Sequence, residues 1–186
     1  MNYSKKFLTK DGRECLLRAA TADDAEAMLD VFIKTHEETD FLACYADETS
    51  MTVESERKFL DGLYKSENEV EIMAFIDGKA VGTAGINAVG IKFKTRHRAE
   101  FGVCVLKDFW ALGIGRALTE ACVECAKKAG YAQLELDVVA ENAPAIALYK
   151  SVGFVEYGRN PKGFRSRISG WQENVLMRLE LAPDQQ

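Results

Sequence analysis

The sequence lacks several things, and each shortage removes a class of protein. There is no basic excess: 24 lysines and arginines against 29 aspartates and glutamates leave a net charge of −5. That argues against nucleic acid as a partner, because neutralising phosphates takes a basic surface. No uninterrupted apolar run approaches the length that spans a bilayer, so no membrane association is expected. The opening stretch, MNYSKKFLTKDGRECLL, carries no apolar core of signal-peptide length, and a cytoplasmic location is the expectation. The five cysteines (Cys15, Cys44, Cys104, Cys122 and Cys125) are an odd number, which does not suggest a disulfide framework. Cys122 and Cys125 form a C-x-x-C. A redox pair gains its reactivity at a helix N-terminus, whereas these two lie deep in a helix on the face of Leu118, Ala121 and Ala129. They read as buried small hydrophobes. No linker, repeat or low-complexity tract divides the chain, so residues 1–186 read as one domain.

What is present is an ordinary globular composition, 47% hydrophobic and 28% charged, in a chain long enough to bury roughly 70% of its unfolded surface. Glu14–Arg18 reads as a first strand. Thr21-Ala-Asp-Asp resembles a capping box with Asp in place of Glu. It opens a helix whose apolar face (Ala25, Met28, Leu29, Phe32, Ile33) runs to about His36. An acidic loop follows over residues 37–51. A second helix spans about Thr52–Tyr64, with Val53, Phe59, Leu60 and Leu63 inward. Val70–Ile76 and Ala80–Ala88 are strands joined by Asp77-Gly78, a strong hairpin signal. The basic run Lys92–Arg98 leads to a strand over Phe101–Leu106. Gly113–Ala129 is a helix ended by Gly130, and Gln133–Val139 alternates as the next strand. Asn142 caps another helix, with Pro144 in its first turn. Phe154–Gly158 and Asn174–Leu181 are the last strands, separated by a loop holding Arg159, Lys162, Arg165 and Arg167. The pattern is a mixed α/β domain.

The stretch from Glu100 to Leu118, EFGVCVLKDFWALGIGRAL, organises the rest. A strand, a short polar break and a glycine-bearing helix start make an anion site, because first-turn N–H groups lack intrahelical partners and the helix dipole adds positive potential. Glycine lets a phosphate approach the backbone without meeting a Cβ. A P-loop would need Lys-Ser/Thr after the last glycine, where Arg116-Ala117 stands. A dinucleotide fingerprint would need glycine or alanine at Leu118, in a parallel unit near the start of the chain. The segment Trp110-Ala-Leu-Gly113-Ile-Gly115 instead resembles the R/Q-x-x-G-x-G/A signature of the GCN5-related N-acetyltransferase (GNAT) superfamily. A second family signature appears as Asn142-Ala-Pro-Ala-Ile-Ala-Leu-Tyr149-Lys-Ser-Val-Gly153-Phe154.

The resemblance implies a mixed, mostly antiparallel sheet of six to seven strands, flanked by about four helices. It implies acetyl-CoA as co-substrate, no metal, and transfer of an acetyl group to a primary amine of a small molecule or peptide. Main-chain groups of Leu112, Gly113, Ile114, Gly115 and Arg116 would hold the diphosphate, with Asn142 beside the coenzyme. Val103, Cys104 and Val105 would hold the pantetheine arm, and an N–H of Val103 or Cys104 would face the thioester oxygen. Glu100 would be the base, with His97 in reserve, and Tyr149 the acid on sulfur. One departure is Trp110, where the family has Arg or Gln; it is expected to pack on the sheet. The acidic loop Glu37–Glu48 would address a cationic acceptor, or the cluster Arg159–Arg167 an acidic one or the coenzyme's 3′-phosphate. A homodimer through the last strands is open. The competing reading is a non-catalytic acyl-CoA-binding sensor or scaffold.

Overall fold

A computed structural model describes residues 1–181. Its strands are β1 Ser4–Leu8, β2 Glu14–Ala19, β3 Val70–Ile76, β4 Lys79–Ala88, β5 Arg98–Val105, β6 Gln133–Val139, β7 Val155–Ser166 and β8 Gly170–Glu180. Its helices are α1 Ala25–Glu38, α2 Val53–Lys65, α3 Ile114–Lys128 and α4 Ala143–Val152. The strands form one sheet in the order β1-β2-β3-β4-β5-β6-β8-β7. Helices α1 and α2 cover one face, α3 the other.

Strand β3 shows why the sheet is buried on both sides. Val70, Ile72, Ala74 and Ile76 point into the larger apolar cluster, with Leu118, Ala121 and Cys122 of α3. Met73 points the opposite way, to Met28 of α1 and Leu60 of α2. The β3–β4 turn is set by Asp77 and Gly78, both at positive φ (50° and 75°), as the tight turn of a twisted hairpin demands. Cys122 and Cys125 are buried free thiols, as their place in the helix foretold.

One contact is parallel, and it positions everything that follows. β5 pairs with β6 only over Arg98–Glu100 and Gln133–Glu135. Beyond that the strands part: β5 stays on β4 to Val105, and β6 stays on β8 to Val139. The result is a V-shaped opening, with α3 starting beyond one arm and α4 beyond the other.

Several expectations need correction. Strand β1 is an eighth strand that the sequence reading passed over, because SKKFL is an edge strand with only Phe7 less than exposed. Arg159–Arg167 is not a loop: β7 and β8 form one long hairpin whose register shifts at Glu156/Gly158 and Asn160/Phe164. Pro161 and these bulges interrupt the outer edge of β7, the edge a dimer made by the last strands would use. In α2 the inward face runs through Glu56, Leu60 and Leu63, leaving Val53 and Phe59 exposed. Helix α1 likewise turns Ile33 outward and buries Thr35 instead.

Candidate active site

The loop from β5 to α3 is a main-chain anion cradle. Ala111 and Gly113 both sit at positive φ (62° and 93°) on either side of Leu112, which curls successive N–H groups toward one point. Ala111 pays local strain for that shape. The first N–H of α3 to bond backward is that of Ala117, to the Gly113 oxygen at 3.0 Å. The N–H groups of Ile114, Gly115 and Arg116 therefore have no acceptor one turn earlier. A side chain begun at Gly113 would meet nothing within 4 Å, so the space in front of the cradle is open to a ligand. Three tethers hold the loop: Lys10 N–H to the Leu112 oxygen at 3.1 Å, Lys107 N–H to Glu38 at 2.7 Å, and the Trp110 indole N–H to the Val105 oxygen at 2.6 Å. Trp110 is 45% exposed and closes the loop rather than packing on the sheet, contrary to expectation. The Arg116 side chain pairs with Glu120 at 3.2 Å and donates to Ser151 of α4, which leaves its main chain for an anion.

The edge of β5 that faces the opening follows from the ladder. Leu106 N–H bonds the Val81 oxygen and Val89 N–H bonds the Arg98 oxygen, so even-numbered residues of β5 exchange bonds with β4. Odd-numbered ones turn their main chain the other way. Past the short parallel pairing, Phe101, Val103 and Val105 thus present main-chain groups to the V. Cys104 does not. Its N–H belongs to the ladder opposite Thr83, and its thiol, beside Thr35, is pushed up to about 11 by burial. Of the two oxyanion donors considered, the geometry leaves Val103.

Side chains complete the two arms. On α4, Asn142 Oδ1 accepts from Ala145 N–H at 3.3 Å, with Pro144 in the first turn. Tyr149 is buried, edge-on to Phe101 with ring centroids 6.1 Å apart and 5.9 Å from Phe154. Burial pushes its phenol well above the ordinary value, with Cys104 adding to the shift. The proton stays on oxygen throughout the neutral range, and the near match to a thiol's pKa is removed. Glu100 is exposed and lies on the α1 face of β5, opposite Phe101. Its neighbour Glu135 on β6 is taken by the two-pronged guanidinium of Arg98, which leaves Glu100 without a cation among the described residues. Glu100 and Tyr149 do not touch; they flank β5 from opposite faces.

A family model described as the acetyltransferase (GNAT) family matches residues 22–154. The chain belongs to the GNAT acetyltransferase family. It is 37% identical over 82 residues to the ribosomal protein bS18-alanine N-acetyltransferase of Escherichia coli (strain K12), a match covering 44% of this chain and 55% of that one. The chain thus spans about half the length of the curated relatives it first matches. A GNAT-family acetyltransferase from Streptococcus pneumoniae superposes with a TM-score of 0.85 at 29% identity, covering 90% of this chain and 99% of that one. A phosphinothricin acetyltransferase from Sinorhizobium meliloti, solved with acetyl-CoA, shares the fold at 20% identity and a TM-score of 0.78, covering 90% and 89%.

In this GNAT chain part of the acidic loop, Asp40, Asp47 and Glu48, is engaged by the β7–β8 hairpin. Asp40 accepts from Ser166 at 2.6 Å, Tyr45 at 2.9 Å and Ser169 at 3.1 Å, and these bonds lower its pKa. Arg167 pairs with Asp47 at 2.8 Å and Glu48 at 3.1 Å and stacks over Tyr45. Arg159 is held by Glu156 and Glu173. The acidic loop is therefore bound to the β7–β8 hairpin, and between them lies a cavity of ≈ 270 Å³ lined by residues that include Tyr45, Phe164 and Arg165. His97 is exposed, and its main-chain oxygen accepts from Ala132 and Gln133 N–H groups, anchoring the parallel pairing. The other histidine, His36, stacks on Phe32 and bonds its oxygen at 2.7 Å; burial pushes it toward the neutral form. Two features escaped the sequence reading: the Arg98–Glu135 clamp at the apex of the V, and the inward-facing carboxyl of Glu71. Neither has a local signal, because each depends on which residues stand opposite across strands.

Proposed function

We propose that this protein is an acetyl-CoA-dependent N-acetyltransferase acting on a primary amine of a small molecule or peptide. One observation carries the reading: a strand edge over Phe101–Val105, unpaired except at the Val105 oxygen that Trp110 holds, leads directly into an open main-chain cradle at the start of α3. An extended pantetheine arm suits the edge as an added strand, and a diphosphate suits the cradle. Acetyl-CoA supplies an acyl group already activated as a thioester. Main-chain groups of Val103 and the N–H of Val105 hold the arm, and main-chain groups of Leu112–Arg116 hold the diphosphate, with Asn142 at the opposite lip. The names of the relatives, one acting on a protein's alanine and one on L-amino acids, support an amine acceptor.

The same geometry supports the residue roles that the resemblance implies. An alkyl ammonium has a pKa of about 10, so a base must free the lone pair. Glu100, exposed at the apex of the V, takes that proton directly or through one water. The amine nitrogen then bonds the acyl carbon while the Val103 N–H donates to the thioester oxygen as charge develops there. When the carbon–sulfur bond breaks, the Tyr149 hydroxyl gives its proton to the departing sulfur; the second proton on the new amide nitrogen leaves through water and restores the phenol, which burial keeps in its neutral form. A thiol-release assay with acetyl-CoA and a panel of amines tests the reading. Release that depends on the amine supports it. Tight acetyl-CoA binding with no release for any amine makes the protein a sensor instead.

A further inference from the structure

Glu71 of β3 has no part in the chemistry above, and its surroundings are unusual for a carboxylate facing into a sheet. Among the described residues it has no cation partner: Arg18 on the adjacent strand is taken by Asp24 at 2.6 Å, and Arg98 by Glu135. One carboxylate oxygen accepts from the Thr83 hydroxyl; the other has no hydrogen-bond donor among the described residues. Directly across on β4 stands Gly85, where any Cβ would collide with Glu71 Oε2. The carboxylate therefore lies over the bare backbone of Gly85. The next residue across, on β5, is Gly102, which is exposed; a Cβ there would meet nothing within 4 Å. Two glycines side by side leave the carboxylate looking across about one strand spacing, ~4.8 Å, into open space over Gly102. That hollow is on the same face as Glu100, two residues along β5.

We propose that Glu71 binds the acceptor, holding the ammonium group of a compact alkylamine in the hollow over Gly102 beside Glu100. The proposal rests on the acetyl-transfer reading and names the acceptor class for it. An ammonium offers three donors and no acceptor, enough to bond Glu71 and Glu100 together, and such charge-assisted bonds are the strong ones. An acceptor with a carboxylate next to its amine, such as a free α-amino acid, would set that negative charge against both glutamates. Alkylamines are the matching class, and free amino acids are disfavoured.

The charge on Glu71 is set by its surroundings. Burial pushes its carboxyl up to about 7 and Glu56 of α2 adds like charge, while the Thr83 bond pulls the other way. On this face β5 adds Glu100 and Cys104, α1 the Thr35 hydroxyl next to Cys104, and β2 the Arg18 that Asp24 holds, while Glu69, two residues before Glu71, accepts from the Ala88 N–H. Glu71 thus gains its charge as pH rises through neutrality, and an ammonium acceptor should bind more tightly over the same range.

Steady-state kinetics on the full chain at saturating acetyl-CoA, with alkylamines and free amino acids as probes, test this. Glu71→Gln should raise the amine KM roughly tenfold or more, the usual loss for a bond to a charged group. Its kcat and acetyl-CoA affinity should hold, and the fall in KM from pH 6 to pH 8 should flatten. Glu71→Asp should recover part of the loss. Gly102→Val fills the hollow without touching the carboxylate; it should block amine turnover while acetyl-CoA still binds, and it decides the matter if Glu71→Gln does not fold. A Glu71→Gln enzyme with unchanged KM and pH profile, or a Gly102→Val enzyme that turns over amines normally, overturns the proposal alone. A wild-type chain that releases no thiol with any amine overturns the acetyl-transfer reading beneath it.

Discussion

The two faces of β5 are unlike, although one run of eight residues makes both. Ala99, Phe101, Val103 and Val105 belong to the larger apolar cluster, with α3 and α4 behind them. Arg98, Glu100, Gly102 and Cys104 face α1, and bring a charge clamp, an exposed carboxylate, an empty position and a half-buried thiol. The dry face is built for rigidity: it fixes the strand edge and holds the Tyr149 hydroxyl protonated. The other face gives up packing to leave room and negative charge. On the proposed reading, the acyl donor lies along the edge of β5 and the amine approaches from the α1 face.

The largest effect should come from breaking the dry face. Phe154 is 2% exposed and packs on both Phe101 and Tyr149, so Phe154→Ala should cost about 3–5 kcal/mol in urea unfolding. Next, Tyr149→Phe should lower kcat roughly 100-fold by removing a general acid, with acetyl-CoA affinity held in the same assay series. Unchanged turnover would take Tyr149 out of the mechanism. On the polar face, the raised carboxyl of Glu71 makes a stability prediction with a definite sign. The unfolded chain loses this proton near 4.5 and the folded one near 7, so the contribution is present below 4.5 and is lost as pH rises through 7. Glu71→Gln should therefore be more stable than wild type at pH 8 by about 2 kcal/mol, discounted for partial solvent access, and little changed at pH 4; thermal melts at the two pH values check it. Smaller still, Gly113→Ala should weaken acetyl-CoA binding, because a Cβ at φ 93° costs about 1–2 kcal/mol and intrudes on the cradle. Isothermal titration reads that loss.

How much of this could be read from the sequence depended on the range of the interaction. Strand Gln133–Val139, the Asn142 cap, the Asp77-Gly78 turn and the glycine cradle all appear where expected, because each is fixed by residues within a few positions of one another. Strand β1 has too little apolar alternation to announce an edge strand. The β7–β8 hairpin reads as a loop because Pro161 and a row of cations sit in a bulged strand. Val53 and Phe59 were placed inside by hydrophobicity, whereas α2 turns Glu56 inward instead. At the site, the main-chain cradle at the start of α3 was legible for the same local reason. The α1 face of β5 was not, since the Glu71–Gly85–Gly102 row, the Arg98–Glu135 clamp and the Asp40–Ser166 and Arg167–Asp47 contacts arise only once strand register is set. The same register shows that Cys104 and Val103, adjacent in sequence, turn their main-chain groups to opposite sides of the strand.

A crystal structure with acetyl-CoA tests the division of β5 most directly. The diphosphate should rest on the N–H groups of Gly113–Arg116 with the thioester arm beside Val103, leaving the hollow over Gly102 clear of coenzyme. A nucleotide bound elsewhere, or an acyl arm lying across Gly102 on the α1 face, would contradict it.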